Sequence, residues 1–201
     1  MLYLRASPTR PLTARATLRS FSTFSPTLTP PSTSTSPDSD GTFKPIQTMT
    51  VFGAGLMGAG IAQVAAQNGV KVVMTDVTEG ALENGRAIIH KSLSRIARKA
   101  SPSSTSDQET FISSVFSDLR TTTSAQEAVE GSDLVIEAIV EHLPTKQELF
   151  RRLDGIAEKE TVFASNTSSL SIRSIAEGCG AERRSRFAGF HAFNPVPQMK
   201  L

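Results

Sequence analysis

Three residues in this chain have the right types to handle a proton and an oxygen together. They are Ser168 in the run Ala164-Ser165-Asn166-Thr167-Ser168-Ser169-Leu170, and His191 and Asn194 in the run Arg186-Phe187-Ala188-Gly189-Phe190-His191-Ala192-Phe193-Asn194-Pro195-Val196-Pro197. An unperturbed imidazole titrates near neutrality, so it can accept or return a proton under ordinary conditions. A hydroxyl can hold the oxygen that exchanges that proton. Each run follows the end of a segment that reads as a strand. In open α/β sheets, ligands bind at the carboxyl ends of the strands. Taken alone, His191 reads equally well as a satisfied structural histidine and as a catalyst.

A second group suits a phosphate ligand. Gly53-Ala54-Gly55-Leu56-Met57-Gly58 follows a short apolar run and opens an alanine-rich helical stretch. In that setting Gly53 allows the tight turn, Gly55 admits a pyrophosphate to the backbone, and Gly58 lets the helix pack on the strand. The phosphates then face the free N–H groups of the helix start. Gly60 extends the stripe of small residues. Asp76 ends the next apolar run, where a carboxylate accepts hydrogen bonds from ribose hydroxyls and repels an added 2′-phosphate. No arginine immediately follows it, so the expected cofactor is NAD rather than NADP.

These residues need a frame that brings strand ends together. Met49–Phe52, Val70–Thr75, Leu119–Thr122, Leu134–Ile139, Thr161–Ser165 and Arg186–Phe190 read as strands. Helices are expected over Leu56–Asn68, Glu79–Ala100, Gln108–Val115, a short stretch from a Ser124 cap through Val129, Pro144–Ala157 and Ser171–Glu177. On the long helix Leu82, Ile89, Leu93, Ile96 and Ala100 share one face. Strands alternating with helices predict an α/β, Rossmann-like, doubly wound and mainly parallel sheet with helices on both faces. No internal repeat is evident.

The frame does not include the whole chain. The first 40 or so residues are rich in Ser, Thr and Pro, carry Arg5, Arg10, Arg15 and Arg19, and have no acid before Asp38. That is the composition of a mitochondrial transit peptide, and Arg19-Ser20-Phe21-Ser22 resembles a processing site cut after the phenylalanine. A polar tail without an address is the plainer alternative. The stretch from Pro30 to Thr42 reads as linker. The expected division is therefore a leader and linker over residues 1–46 and a folded domain over 47–201. A net charge of +2 argues against a nucleic-acid partner bound by bulk charge. No stretch has the apolar length of a membrane span. The single cysteine, Cys179, excludes an intrachain disulfide. No metal site is expected.

The glycine loop with the helix after it, the run Ile136-Glu137-Ala138-Ile139-Val140-Glu141 and the two runs around Ser168 and His191 together resemble the NAD-binding domain of the 3-hydroxyacyl-CoA dehydrogenases. The resemblance extends from about Gln47 to Leu201. It implies the NAD-dependent oxidation of (S)-3-hydroxyacyl-CoA to 3-oxoacyl-CoA in fatty-acid β-oxidation, in the mitochondrial matrix. It also implies roles for individual residues. Asp76 matches the ribose-binding acid. Glu141 and Lys146 match residues that line the nicotinamide side of the cofactor pocket, and Asn194 matches a cofactor-contacting asparagine. Ser168 matches the serine on the substrate oxygen and beside the cofactor, His191 the catalytic base, and Ser92 and Lys99 the CoA contacts. From spacing alone, Lys91, Arg95, Arg98 and Lys99 make one basic helix face, which is ordinarily a solvated one.

The resemblance further implies a helical C-terminal domain that makes the homodimer, and a glutamate beyond Leu201 that orients the imidazole of His191. Ala192 stands where the family usually has an aromatic, Gln198 where it has an apolar residue, and the loop at Gly178-Cys179-Gly180 is slightly longer. Two other readings stay open: a non-catalytic NAD(H)-binding or partner-dependent module, and an NADP-linked 3-hydroxy-acid reductase.

Overall fold

The computed structural model describes residues 45–199, which lie within one compact unit beginning at Pro45. The transit-peptide reading and all but the end of the linker fall on residues 1–44, outside the described residues. The described elements are β1 (Thr48–Phe52), α1 (Leu56–Gln67), β2 (Lys71–Thr75), α2 (Glu79–Ala100), α3 (Thr105–Ser117), β3 (Leu119–Thr122), α4 (Ala125–Val129), β4 (Leu134–Glu137), α5 (Leu143–Asp154), β5 (Val162–Asn166), α6 (Ile172–Ala176), α7 (Ala181–Arg184) and β6 (Phe187–Phe190). A 3₁₀ turn covers Val196–Gln198.

The six strands form one wholly parallel sheet in the order β3-β2-β1-β4-β5-β6. This is the Rossmann-like order, and its direction reverses between β1 and β4, opening a crevice at their carboxyl ends. Alternation along the strands splits the core in two. Val51, Val72, Met74, Ile136 and Ala164 pack with α1, α2 and α3 on one face. Phe52, Val73, Val135 and Phe163 pack with Phe150, Leu153 and Ile175 of α5 and α6 on the other. At the opposite end, Asp133 Oδ2 accepts from the backbone N–H groups of Gln47 and Thr48 at 2.9 and 3.0 Å, fastening the start of β1 to β4.

Several boundaries differ from expectation, each with a local cause. β2 starts at Lys71, not Val70, because the Val70 N–H donates to Ala65 O at 3.2 Å and finishes the turn after α1. α3 starts at Thr105, well before Gln108, because Ser104 Oγ caps it by accepting from Asp107 N. β4 stops at Glu137 instead of running to Ile139, because the Ile139 N–H donates to the Glu137 carboxylate at 2.8 Å. α5 ends at Asp154 with Gly155 as its cap, three residues short of Ala157. On α2 the core position is Ala97, and Ala100 is exposed.

Candidate active site

The glycine loop leaves β1 at Gly53, whose φ of +104° suits a residue without a Cβ. A Cβ on Gly53 would stand 2.5 Å from Ala138 O, so the loop lies directly against the end of β4. A Cβ on Gly58 would stand 1.8 Å from Gly53 O, so α1 can leave the loop this closely only with glycine there. A Cβ on Gly55 would meet nothing within 4 Å, and no side chain caps the start of α1. An open backbone cradle at a 12-residue helix N-terminus fits a pyrophosphate. Ala54 sits buried between the glycines, Leu56 is exposed and Met57 half-buried.

Asp76 closes the other side of this cradle. Its Oδ2 accepts from Ala54 N and its Oδ1 from Val77 N, both at 2.7 Å. The carboxylate is thereby held half-buried on the rim of a cavity of about 510 Å³. Gly53, Asp76, Val77, Ala125, Ile139 and Arg152 are among its lining residues. Val77 and Arg152 were not singled out from sequence. The signal for Arg152 was its spacing: Thr145, Glu148, Leu149 and Arg152 share one face of α5, and all four line the cavity.

The ends of β4, β5 and β6 carry the second group of functional side chains. Ser168 Oγ and His191 Nε2 stand 3.2 Å apart, both residues exposed at the crevice. The His191 ring has Phe193 at 4.5 Å between centroids. Asn166 Oδ1 accepts from Ala192 N at 3.0 Å, which ties the segment after β6 to the end of β5. Thr167 Oγ1 donates to Glu141, and Ser169 Oγ reaches the same oxygen at 3.3 Å. Partial burial would raise the Glu141 carboxyl. The Thr167 hydroxyl and the Lys146 ammonium outweigh that and hold it down at about 2.

Lys146 has no exposed side-chain surface. Its Nζ lies 2.7 and 2.9 Å from the two Glu137 oxygens, 3.0 Å from Glu141 Oε2 and 3.4 Å from Asn166 O. It therefore shapes the crevice from beneath Glu141 rather than from its surface. Glu137 and Ser165, the other buried members of this cluster, were not singled out from sequence. The signal was there in Glu137, an acid inside an otherwise apolar strand run.

Ser92 and Asn194 come together. With Lys91, Arg95 and Gly60 they line a second cavity of about 280 Å³ between α2 and the 3₁₀ turn. Gly60 makes room for that turn, since a Cβ there would stand 2.8 Å from the Val196 side chain. Lys99 lies further along α2, exposed and outside this lining. Arg98, the other basic residue at that end of α2, is exposed too.

Residues 48–201 match the family described as "3-hydroxyacyl-CoA dehydrogenase, NAD binding domain". The chain belongs to the 3-hydroxyacyl-CoA dehydrogenase family. It is 51% identical over 156 residues to the mitochondrial hydroxyacyl-coenzyme A dehydrogenase of Rattus norvegicus, covering 78% of this chain and 49% of that protein. It is 44% identical over 156 residues to a probable 3-hydroxybutyryl-CoA dehydrogenase of Bacillus subtilis, with 78% and 52% covered. A crystal structure of (S)-3-hydroxybutyryl-CoA dehydrogenase from Ralstonia eutropha superimposes with a TM-score of 0.71 at 38% identity, over 78% of this chain and 53% of that one. The chain thus spans about half the length of the curated relatives it matches. What it contributes to the family is the NAD-binding domain, and the cradle and Asp76 fit that cofactor. No helix among the described residues is long and apolar enough to cross a membrane.

Proposed function

We propose that this chain supplies the cofactor domain of an NAD-dependent dehydrogenase that interconverts (S)-3-hydroxyacyl-CoA and 3-oxoacyl-CoA. The observation that carries this reading is the 3.2 Å pairing of Ser168 Oγ with His191 Nε2 at the strand ends of an NAD-binding domain. His191 Nε2 takes the proton of the substrate hydroxyl, and Ser168 Oγ holds the same oxygen. In the reverse direction the imidazolium returns that proton to the carbonyl oxygen. NAD, when bound, supplies the hydride acceptor.

The chain's own groups divide the binding task. The backbone of Gly53 to Gly58 receives the pyrophosphate, and Asp76 the ribose hydroxyls. Glu141 faces the nicotinamide side, with Lys146 fixing it from below, and Asn194 contacts the cofactor from the edge of the second cavity that it lines. Lys91, Ser92 and Arg95 meet CoA in the second cavity, and Lys99 extends the basic face toward its phosphates. Residues 1–46 act as a mitochondrial leader and linker, and the enzyme works in the matrix on fatty-acid β-oxidation intermediates. This fits the acid-free, arginine-bearing composition and the mitochondrial names of relatives. A helical domain outside residues 47–201 completes the acyl-CoA cleft and the homodimer.

The test is acetoacetyl-CoA-dependent oxidation of NADH by the full-length enzyme. The expected result is turnover with NADH preferred to NADPH. NADH binding without turnover would overturn the proposal in favour of a non-catalytic module. A preference for NADPH would favour the NADP-linked reductase.

A further inference from the structure

Glu137 is a wholly buried acid that the reaction above does not use. It is the last residue of β4, and its carboxylate accepts four hydrogen bonds. Oε1 takes Ile139 N at 2.8 Å and Lys146 Nζ at 2.7 Å. Oε2 takes Lys146 Nζ at 2.9 Å and Ser165 Oγ at 2.5 Å. We propose that Glu137 is a positioning residue for the nicotinamide half of the cofactor site. Through Lys146 it fixes Glu141, and through Ser165 and Lys146 it fixes the end of β5 that leads to Ser168. The inference rests on the reading of Glu141 as facing the nicotinamide side.

Three loops hang from this one buried centre. The loop after β4 is tied by Glu141, 3.0 Å from Lys146 Nζ. The loop after β5 is tied by Asn166 O, 3.4 Å from the same ammonium, and by the Thr167 hydroxyl on Glu141. The segment after β6 is tied through Asn166 Oδ1, which accepts from Ala192 N beside His191. Glu141, Ser168 and His191 thus owe their relative placement to groups that Glu137 holds.

Holding the sheet together does not require such a cluster. Replacing a buried ion pair with well-packed apolar residues is often neutral or stabilising. What an apolar pair cannot do is aim an ammonium at a third group. Here that third group is Glu141, whose side chain is 40% exposed at the crevice. With Glu137 neutralised, Glu141 becomes the sole carboxylate on a buried ammonium. It is then drawn inward, away from the crevice and from Thr167. The adenine side is built from the glycine loop and Asp76, whose carboxylate is held by Ala54 and Val77 and not by this cluster. The two meet only where Gly53 packs against Ala138 and Ile139, so the effect there is small.

The experiment measures NADH and ADP-ribose binding to the 201-residue chain by titration, for wild type, Glu137→Gln and Glu141→Gln. ADP-ribose has the pyrophosphate and adenine half but no nicotinamide. The expected result for both variants is NADH binding weakened about tenfold, with ADP-ribose within twofold of wild type. Equal weakening of both ligands in Glu137→Gln would reduce Glu137 to a fold element and overturn the inference. Unchanged NADH binding in Glu137→Gln, with Glu141→Gln weakened, would overturn it while leaving the cofactor reading intact. Unchanged NADH binding in both variants would overturn the placement of Glu141 and the inference with it. Should Glu137→Gln fail to fold, Glu137→Gln/Lys146→Gln removes both buried charges together. Selective loss of NADH affinity in that variant supports the inference, and wild-type affinity for NADH overturns it.

Discussion

The two halves of the crevice are built by different means. The β1–β2 half is made of backbone: a glycine loop pressed against β4, a helix start, and one acid held by Ala54 and Val77 N–H groups. The β4–β6 half is made of side chains, linked from Glu137 through Lys146, Glu141 and Asn166 to Ser168 and His191. In the first half Gly53 and Gly58 leave no room for a Cβ, and in the second the side chains hold one another through charge. A backbone cradle suits the part of a cofactor that must only be held. A side-chain network suits the part where the proposed reaction moves a proton.

The sharpest way to separate the halves is His191→Ala in the full-length enzyme. Loss of a positioned acid–base group lowers rates by about 10²–10⁴-fold. NADH binding should stay within about twofold, because the cradle is untouched. Steady-state turnover set beside an NADH titration checks both, and retained turnover would remove His191 from the chemistry. Gly58→Ala makes the complementary break. Its Cβ would meet a backbone oxygen at 1.8 Å, which no side-chain rotation relieves. The expected cost is roughly 3 kcal/mol or more of stability, at the upper end for overpacking, together with loss of NADH binding. Thermal unfolding of the variant reads it, and a wild-type melting point would show that α1 can move away from the loop.

The two halves were also unequally legible. The glycine loop and Asp76 could be placed from spacing because their tasks are local: a turn, a close approach, a carboxylate at a strand end. The parallel frame was legible for the same reason, since buried strands and amphipathic helices have their own periods. Glu137 and Ser165 were not, because their meaning depends on Lys146 arriving from another element. The short helix Ala181–Arg184 is not among the elements expected from the sequence. It has no apolar period and is held instead by long-range contacts of Arg183, which pairs with Asp154 at 2.9 Å and donates to the carbonyls of Ala157, Glu158, Lys159 and Thr161. The turn at Val196–Gln198 escaped for a like reason, since Val196 is buried against Gly60, far away in the chain. At Cys179, burial foremost, and then the Asp154 carboxylate, push the thiol up to about 11.

Asp76 offers a smaller and more selective change. Its carboxylate is what should distinguish NADH from NADPH, so Asp76→Ser removes both an acceptor and a repulsion. Hydrogen bonds to charged groups contribute about 1.5–3 kcal/mol. NADH affinity should therefore fall about tenfold or more, while NADPH affinity holds or rises. Paired titrations give the ratio, and an unchanged ratio would mean that the carboxylate serves only to brace Ala54 and Val77.

The smallest effect tests the side-chain half through pH. The Glu141 carboxyl is lowered from an ordinary 4.5 to about 2, because hydrogen bonds from Thr167 and Lys146 and the Lys146 charge outweigh its desolvation. A depressed acid stabilises the fold fully above its unfolded value, and that contribution is lost as pH falls through the folded one. The window therefore runs from about 4.5 down to about 2. With a side chain 40% exposed, solvent screening limits the gain, and below about 1 kcal/mol is expected. In a chain of this size that is a melting difference of about 2–4 °C or less between wild type and Glu141→Gln. The difference should be flat from pH 7 to pH 5 and narrow below that. If it stays constant down to pH 3, Glu141 is not held by Lys146 and Thr167, and the three loops are not joined there.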